Sequence, residues 1–296
     1  MSKGRRKRKS NNKIGLLLLI IVIIIAGILI IKSQNNKEQT KIASKSIENE
    51  VIETTKTVEQ TPTSTQTASP TPKKEIVNEL KNGLPVLMYH FFYDNVNYWP
   101  EDSNWLDIND FEEQLKYFKE NDFYFPTWEE VEQYIDGKIK LPEKSVVLTV
   151  DDGDASFFDL AVPVLQKYKV PATVFVISEW YGWRYDKNME YVSFQSHSHS
   201  MHEAGSNGKG RMVNWSKDEI IEDLNKSKKE LIGATVFCYP FGHYNDTAIE
   251  ALKESGFKMA FTIEGGRVFP GDDKYELPRV RVADGNSLSY FKSSVE

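Results

Sequence analysis

Short apolar runs alternate with amphipathic helical patterns over residues 84–296. The apolar runs are rich in β-branched and aliphatic side chains, which favours strands, and they lie at 85–90, 145–150, 172–177, 192–197, 235–240, 258–263 and 277–282. A weaker run at 123–125 makes the number of expected strands seven or eight. Patterns with helical periodicity separate the runs, at 110–121, 128–135, 157–168, 217–232 and 245–255.

Strands that are apolar throughout and separated by helices predict a parallel sheet covered by helices. Seven or eight such units within 213 residues favour a (β/α) TIM-like barrel, distorted or incomplete, over an open sheet. We therefore expect one α/β domain over residues 84–296.

Residues 14–31 contain fifteen Leu, Ile or Val and no polar side chain. Eighteen residues make about 27 Å of helix, which is enough to cross the hydrocarbon core of a membrane. No small-residue cleavage site follows, so we expect an uncleaved signal-anchor rather than a signal peptide. The basic cluster in residues 1–13 should stay in the cytoplasm, which places the rest of this single-pass protein outside the cell membrane.

Residues 32–83 contain no aromatic residue and are dominated by Thr, Ser, Lys, Glu, Gln and Asn. Such a composition cannot bury enough apolar surface to offset chain entropy, so we expect a disordered extracellular linker.

The charge of the chain is divided unequally along its length. Residues 1–31 hold seven Lys or Arg and no acid, which leaves 30 basic against 43 acidic residues after them, a formal charge of −13. This balance argues against nucleic acid as a partner. The single cysteine, Cys238, excludes an intrachain disulfide. Nothing in the composition calls for more than a monomer.

The candidate chemistry follows the ends of the predicted strands, where a parallel barrel places its active site. Asp151 and Asp152 follow the run at 145–150, and all five histidines lie within a few residues of strand ends: His90, His197, His199, His202 and His243. Two carboxylates side by side resist joint ionisation unless a cation is near. Imidazoles at short spacing suit a borderline metal such as zinc. One carboxylate and two imidazoles would leave a coordination position open, as in catalytic sites, and would free the second carboxylate to act as a base.

The motifs TVDDG (149–153), SHSHSMH (196–202) and CYPFG (238–242) resemble, in order and spacing, those of the polysaccharide deacetylases, carbohydrate esterase family 4. The runs around 85–90, 169–177 and 277–282 are similar to that family too. The resemblance implies a distorted (β/α) barrel and metal-dependent removal of acetyl groups from N-acetylglucosamine polymers.

Carried over by position, the resemblance implies that Asp151 is the catalytic base and that Asp152, His197 and His202 bind one divalent metal ion, expected to be zinc. The backbone N–H of Phe241 would belong to the oxyanion hole. The five-residue spacing of His197 and His202 is similar to the branch that deacetylates poly-β-1,6-N-acetylglucosamine. His199 is expected to be a hydrogen-bonding neighbour rather than a ligand.

Two departures from the family pattern leave roles open. Cys238 stands where the family often has an arginine that holds the base, and Arg279 or Arg281 could replace it. The family's late Leu-x-x-His is absent, because Phe291 lies three residues after Leu288. The candidates for the general acid are therefore His90, which we favour, and His243.

The predicted function is N-deacetylation of a cell-surface or cell-wall polysaccharide that contains N-acetylglucosamine. The alternatives are an O-acetyl esterase of a wall polymer and a catalytically impaired glycan-binding module. Aromatic residues beyond the run at 172–177, Trp180, Tyr181 and Trp183, could stack on sugar rings, although most tryptophans are simply part of a core.

Overall fold

Residues 78–95 and 102–296 are described by a computed structural model. Within them, seven parallel strands close into a barrel in the order β1, β4, β5, β6, β7, β8 and β9. The bounds of these strands are β1 Val86–Tyr89, β4 Val147–Val150, β5 Ala172–Val176, β6 Val192–Ser196, β7 Val236–Cys238, β8 Met259–Gly265 and β9 Leu277–Arg281. Pairing of Leu87 with Val280 joins β9 back to β1.

Strand side chains alternate between two cores. Val86, Val147, Phe175 and Leu277 belong to the core inside the barrel. Their neighbours, such as Leu87 and Leu148, belong to the core between the strands and the outer helices. Since side chains alternate along a strand, His90, Asp151, Cys238 and Arg279 share the inward phase of their strands.

The outer layer consists of helices, five of which lie where the periodicity predicts them, whereas Ser178–Tyr181 and Leu288–Val295 were not predicted. They are α1 Ile108–Glu120, α2 Trp128–Ile135, α3 Val162–Tyr168, α4 Ser178–Tyr181, α5 Lys217–Glu230, α6 Asp246–Glu254 and α7 Leu288–Val295. A π-helical turn, Phe157–Ala161, leads into α3, and short 3₁₀ turns lie at Gly182–Arg184, Arg211–Val213 and Pro240–Gly242. Capping boxes begin two of the helices, with Thr127 and Glu130 on α2 and Ser216 and Glu219 on α5.

Residues 78–84, most of which we assigned to the linker, lie against the barrel. The Leu80 N–H donates to the Leu141 carbonyl at 2.9 Å, and the Leu80 side chain is buried. Leu84 and Val268 exchange backbone hydrogen bonds of 2.8 and 3.0 Å. The ordered contacts of the barrel domain thus include residues from 78 onward.

The predicted barrel and its seven strands are confirmed. The weak run at 123–125 is not an eighth strand of the barrel, because Tyr124 makes only an isolated bridge to Ser145. A small parallel pair, β2 Phe91–Tyr93 and β3 Trp105–Asp107, was not predicted, since each strand is only three residues long. Every helix within residues 78–95 and 102–296 is too short or too polar to cross a membrane. The predicted span at 14–31 and the linker up to residue 77 lie outside the described residues.

Candidate active site

Three of the predicted site residues meet at one carboxylate oxygen. Asp152 Oδ1 lies 3.4 Å from His197 Nε2 and 3.4 Å from His202 Nε2. The ligand atoms of the three residues all lie within 4.8 Å of one another. Asp152 Oδ1 is buried and accepts no hydrogen bond from any described residue. A buried carboxylate oxygen without a donor is costly, and a cation between the three side chains would remove that cost.

The two imidazoles are arranged as ligands of a cation. His197 Nδ1–H donates a hydrogen bond to the Cys238 carbonyl at 2.8 Å, which directs Nε2 toward Asp152. Burial lowers the pKa of His202 to about 4, so its ring is neutral at pH 7 and its nitrogen can bind a metal. One carboxylate oxygen and two imidazole nitrogens form a donor set that zinc commonly uses. The residues present therefore fit a divalent ion.

Two backbone conformations shape this cluster. Asp152 has a φ of 70° and is followed by Gly153 at 77°, which turns the chain sharply after β4. Ser198, the residue after His197, has a φ of 73°. Non-glycine residues in the left-handed region are uncommon and concentrate at functional sites. Here the two turns present Asp152 and His197 to each other.

Asp151 occupies a separate environment inside the barrel. Arg279 donates to both of its carboxylate oxygens, from Nη1 to Oδ1 and from Nη2 to Oδ2, each at 2.7 Å. Arg279 is fully buried and Asp151 is 2% exposed. Burial alone would raise the pKa of Asp151, but the charge and hydrogen bonds of Arg279 outweigh it and hold that pKa well below its ordinary value. Asp151 is therefore ionised at pH 7.

Arg279 provides the guanidinium next to Asp151 that Cys238 cannot provide. Its Nη2 lies 3.0 Å from Cys238 Sγ, and its Nη1 donates to Thr149 Oγ1 at 3.1 Å. Arg281, the other candidate, is exposed and donates to Asn104 Oδ1. Asp151, His197 and Cys238 also lie close enough together to suggest a metal site. The guanidinium already provides the cation there, so we do not assign a metal to that group.

The two candidates for the general acid lie in different places. His90 Nε2 is 3.7 Å from Asp151 Oδ2. Burial lowers the pKa of His90, and the carboxylates of Asp151 and Asp152 oppose that shift. His243 follows the 3₁₀ turn after β7, where its Nδ1 accepts a hydrogen bond from the Gly210 N–H at 3.0 Å. His90 is thus the candidate in contact with Asp151.

Phe241 lies at the edge of the group formed by Asp152, His197 and His202, which we call the metal-ligand cluster. Its ring centroid is 4.1 Å from that of His202, and its backbone has a φ of 59°. The turn is closed by hydrogen bonds from Gly242 to Tyr239 and from His243 to Pro240. This places Phe241 beside the ligands, and the role of its N–H in an oxyanion hole stays a prediction.

Asp223 supports the loop that carries the histidines, and the motifs did not reveal it. Its buried carboxylate accepts hydrogen bonds from His199 N–H, Ser200 N–H and Ser200 Oγ at 2.7 to 2.8 Å. A signal was present, because Asp223 and Ser227 fall within the apolar stripe of α5. His199 lies beside the cluster, with Nδ1 3.0 Å from Ser178 Oγ.

A family model for polysaccharide deacetylases matches residues 138–260 of the chain. The chain is similar to poly-β-1,6-N-acetyl-D-glucosamine N-deacetylase of Staphylococcus aureus strain MRSA252, with 34% identity over 193 residues. That match covers 59% of this chain and 66% of the relative, so the chain spans just under two thirds of the relative's length. The enzyme of the same name from Staphylococcus epidermidis is 31% identical over 194 residues, which cover 59% of this chain and 67% of the relative.

The fold is also similar to a solved structure, IcaB from Ammonifex degensii. The TM-score is 0.62 with 29% sequence identity, over 73% of this chain and 98% of that chain.

Proposed function

Because this chain belongs to the polysaccharide deacetylase family, the hydrolases of carbohydrate esterase family 4, we propose that it removes acetyl groups from N-acetylglucosamine units of a β-1,6-linked polymer. One observation carries the proposal. Two adjacent carboxylates lie in different environments, with Asp152 facing two imidazoles and Asp151 paired to a buried arginine.

We propose that Asp152, His197 and His202 hold one divalent ion, zinc. When bound, such an ion polarises a carbonyl oxygen and makes water more acidic. Two observations support this assignment. Asp152 Oδ1 is buried and accepts no hydrogen bond from a described residue, and the hydrogen bond from His197 Nδ1–H leaves Nε2 of that ring facing Asp152.

Asp151 acts as the general base. It is ionised at neutral pH, and its Oδ1, which accepts from Arg279 Nη1, keeps a second lone pair for a water proton. The bidentate contact fixes the orientation of the carboxylate, and a positioned base contributes about 10²- to 10⁴-fold to a rate.

The departing amine needs a proton, and His90 is the residue placed to deliver it. Its Nε2 lies 3.7 Å from Asp151 Oδ2, so a proton taken up by Asp151 has a short path to His90. The Phe241 N–H, on the turn beside His202, would stabilise the oxyanion that develops as the acetamide is attacked.

The names of the relatives support the β-1,6-linked substrate. An O-acetyl esterase would use the same residues, and substrate tests must separate the two. A catalytically impaired binding module is disfavoured, since Arg279 supplies the guanidinium that Cys238 does not.

We further propose that the protein is anchored in the cell membrane by residues 14–31 with its barrel outside. The uninterrupted apolar run and the basic cluster before it support this arrangement. Protease added to intact cells should release the barrel domain into the medium. A mature soluble form that begins near residue 32 would contradict the anchor.

Acetate release tests the proposed function. The purified protein, loaded with zinc, is given β-1,6- and β-1,4-linked N-acetylglucosamine oligomers and an O-acetylated polymer. We expect release from the β-1,6-linked oligomers, loss of release with a chelator, and recovery when zinc is restored. His202→Ala should abolish release, and His199→Ala, which removes an imidazole of the same loop but no ligand, serves as the matched control. Release from the O-acetylated polymer alone would overturn the proposal.

A further inference from the structure

Two tryptophans beyond β5 are unusually open to solvent. Trp183 is 74% exposed and Trp180 is 42% exposed. They lie on α4 and on the 3₁₀ turn Gly182–Arg184 that follows it. We call this pair of side chains the aromatic platform.

The Trp183 ring is held in place although it is exposed. Its Nε1–H donates to the Trp180 carbonyl at 3.1 Å, and the Arg184 guanidinium lies over the ring, 4.7 Å from its centroid. Arg184 is itself fixed, because it lies over the Phe158 ring and donates to Asp159 Oδ1 at 3.2 Å. One face of the indole is therefore covered and the other is left to solvent. A ring that is already hydrogen-bonded and stacked on one face loses less entropy than a free one when a ligand stacks on the other face.

The aromatic platform is continuous with the metal-ligand cluster. The Trp180 ring centroid lies 5.9 Å from that of His202 in an edge-to-face arrangement. Backbone hydrogen bonds join the two segments, from Ser178 N–H to the Ser198 carbonyl at 3.1 Å and from Glu179 N–H to the His199 carbonyl at 3.0 Å. Trp180 thus lies beside His202, and Trp183 is joined to Trp180 by its indole hydrogen bond.

The proposed substrate is a polymer, so a sugar unit at the cluster has neighbours tethered to it. A pyranose ring has an apolar C–H face and a polar edge, and it can place that face on a flat indole while its hydroxyls stay in water. The charge of Arg184 is offset by Asp159, so the platform suits a neutral acetylated sugar.

We propose that Trp183 forms a second sugar-binding subsite, which takes an N-acetylglucosamine unit of the same chain as the unit being deacetylated. The inference rests on the proposed function and specifies how that site selects polymer over short fragments. Contact at a second, tethered unit adds affinity for long chains and none for chains too short to reach it.

The test compares Trp183→Ala with the wild-type protein on the monosaccharide N-acetylglucosamine, which has no second unit, and on its β-1,6-linked pentamer. We expect kcat/KM for the pentamer to fall about fivefold to tenfold, mainly through KM, which is the range that one aromatic contact supports. Any hydrolysis of the monosaccharide should be the same as by the wild type. Trp183→Phe keeps a flat ring and should recover part of the loss on the pentamer.

Tyr290→Ala is the matched control, because Tyr290 is 58% exposed but lies on α7. It should leave both substrates unaffected. An equal loss on monosaccharide and pentamer, or no loss on either, would overturn the subsite while the proposed function stands. A wild-type protein that releases no acetate at any chain length would overturn the proposed function and the subsite with it.

Discussion

Asp151 and Asp152 are neighbours in the chain that meet different partners. Asp152 turns outward through its left-handed backbone to face His197 and His202. Asp151 keeps the inward phase of β4 and pairs with Arg279. Asp151 is paired with a guanidinium, and Asp152 faces two imidazoles that could hold a cation. Both carboxylates can therefore be ionised, whereas adjacent acids without such partners tend to share a proton.

Arg279 should matter for both stability and activity. Arg279→Gln leaves Asp151 buried without its partner, so we expect the free energy of unfolding to fall by about 3–5 kcal/mol. Acetate release should fall as well, because the base loses its orientation. Urea denaturation at pH 7 and an acetate assay on the same preparation measure the two effects.

Arg281→Gln is the control for that substitution, because Arg281 lies on the same strand and is exposed. Its effect on the free energy of unfolding should stay within about 1 kcal/mol. Equal effects of the two substitutions would show that the buried ion pair does not stabilise the site.

The sequence was sufficient to place the candidate site residues at strand ends but not to choose between Arg279 and Arg281. Both arginines have the same phase on β9, so alternation cannot separate them. The choice depends on how far each strand is displaced along its neighbour, and this register is set by the closed barrel. The hydrogen bond from His197 Nδ1 to the Cys238 carbonyl depends on the same register.

At the scale of elements, α5 does more than cover the barrel. It places Asp223 under the loop of the histidines and Ser227 Oγ 2.7 Å from Ser196 Oγ at the end of β6. The helix therefore fixes both the strand end and the loop that carry His197 and His202.

Asp223→Ala should weaken metal binding although it replaces none of the three proposed metal ligands. It leaves the N–H groups of His199 and Ser200 without acceptors, so we expect a loss of about 2–4 kcal/mol in the free energy of unfolding. Zinc affinity should fall about tenfold or more, as for other supporting residues of metal sites. Competition with a zinc-binding dye measures the affinity.

Glu222→Ala provides the comparison on the same helix. Glu222 is exposed and, within the described part of the chain, forms an ion pair with Lys226 one turn away, a contact worth about 0.3–0.5 kcal/mol. We expect Glu222→Ala to keep the zinc affinity of the wild type. If its zinc affinity is as low as that of Asp223→Ala, the loss comes from a general disturbance of the helix and not from removal of the Asp223 carboxylate.

The segment before β1 belongs to the barrel domain. A chain of residues 78–296 keeps buried Leu80 and its hydrogen bond to Leu141, whereas residues 84–296 lack both. We expect the longer chain to be more stable by about 1.5–3 kcal/mol, the usual value of burying one leucine side chain. Urea denaturation of both chains measures this difference. Equal midpoints of unfolding would mean that residues 78–83 belong to the linker and not to the barrel domain.

At the scale of the whole molecule, the alternation of apolar runs and helical patterns was enough to predict a parallel barrel. It could not decide the strand number, because the run at 123–125 is apolar but too short to pair along its length. It also missed β2 and β3, which stabilise each other outside the barrel and have no periodic pattern of their own.

The central claim is that the two adjacent carboxylates divide the work, and zinc content measured together with acetate release on two variants tests it most directly. Asp152→Ala should lose both zinc and activity, because it removes one of three protein ligands. Asp151→Asn should keep zinc while acetate release falls by about 10²- to 10⁴-fold, since an amide cannot take up the proton. If Asp151→Asn loses its zinc and Asp152→Ala keeps it, the assignment of the two residues is wrong.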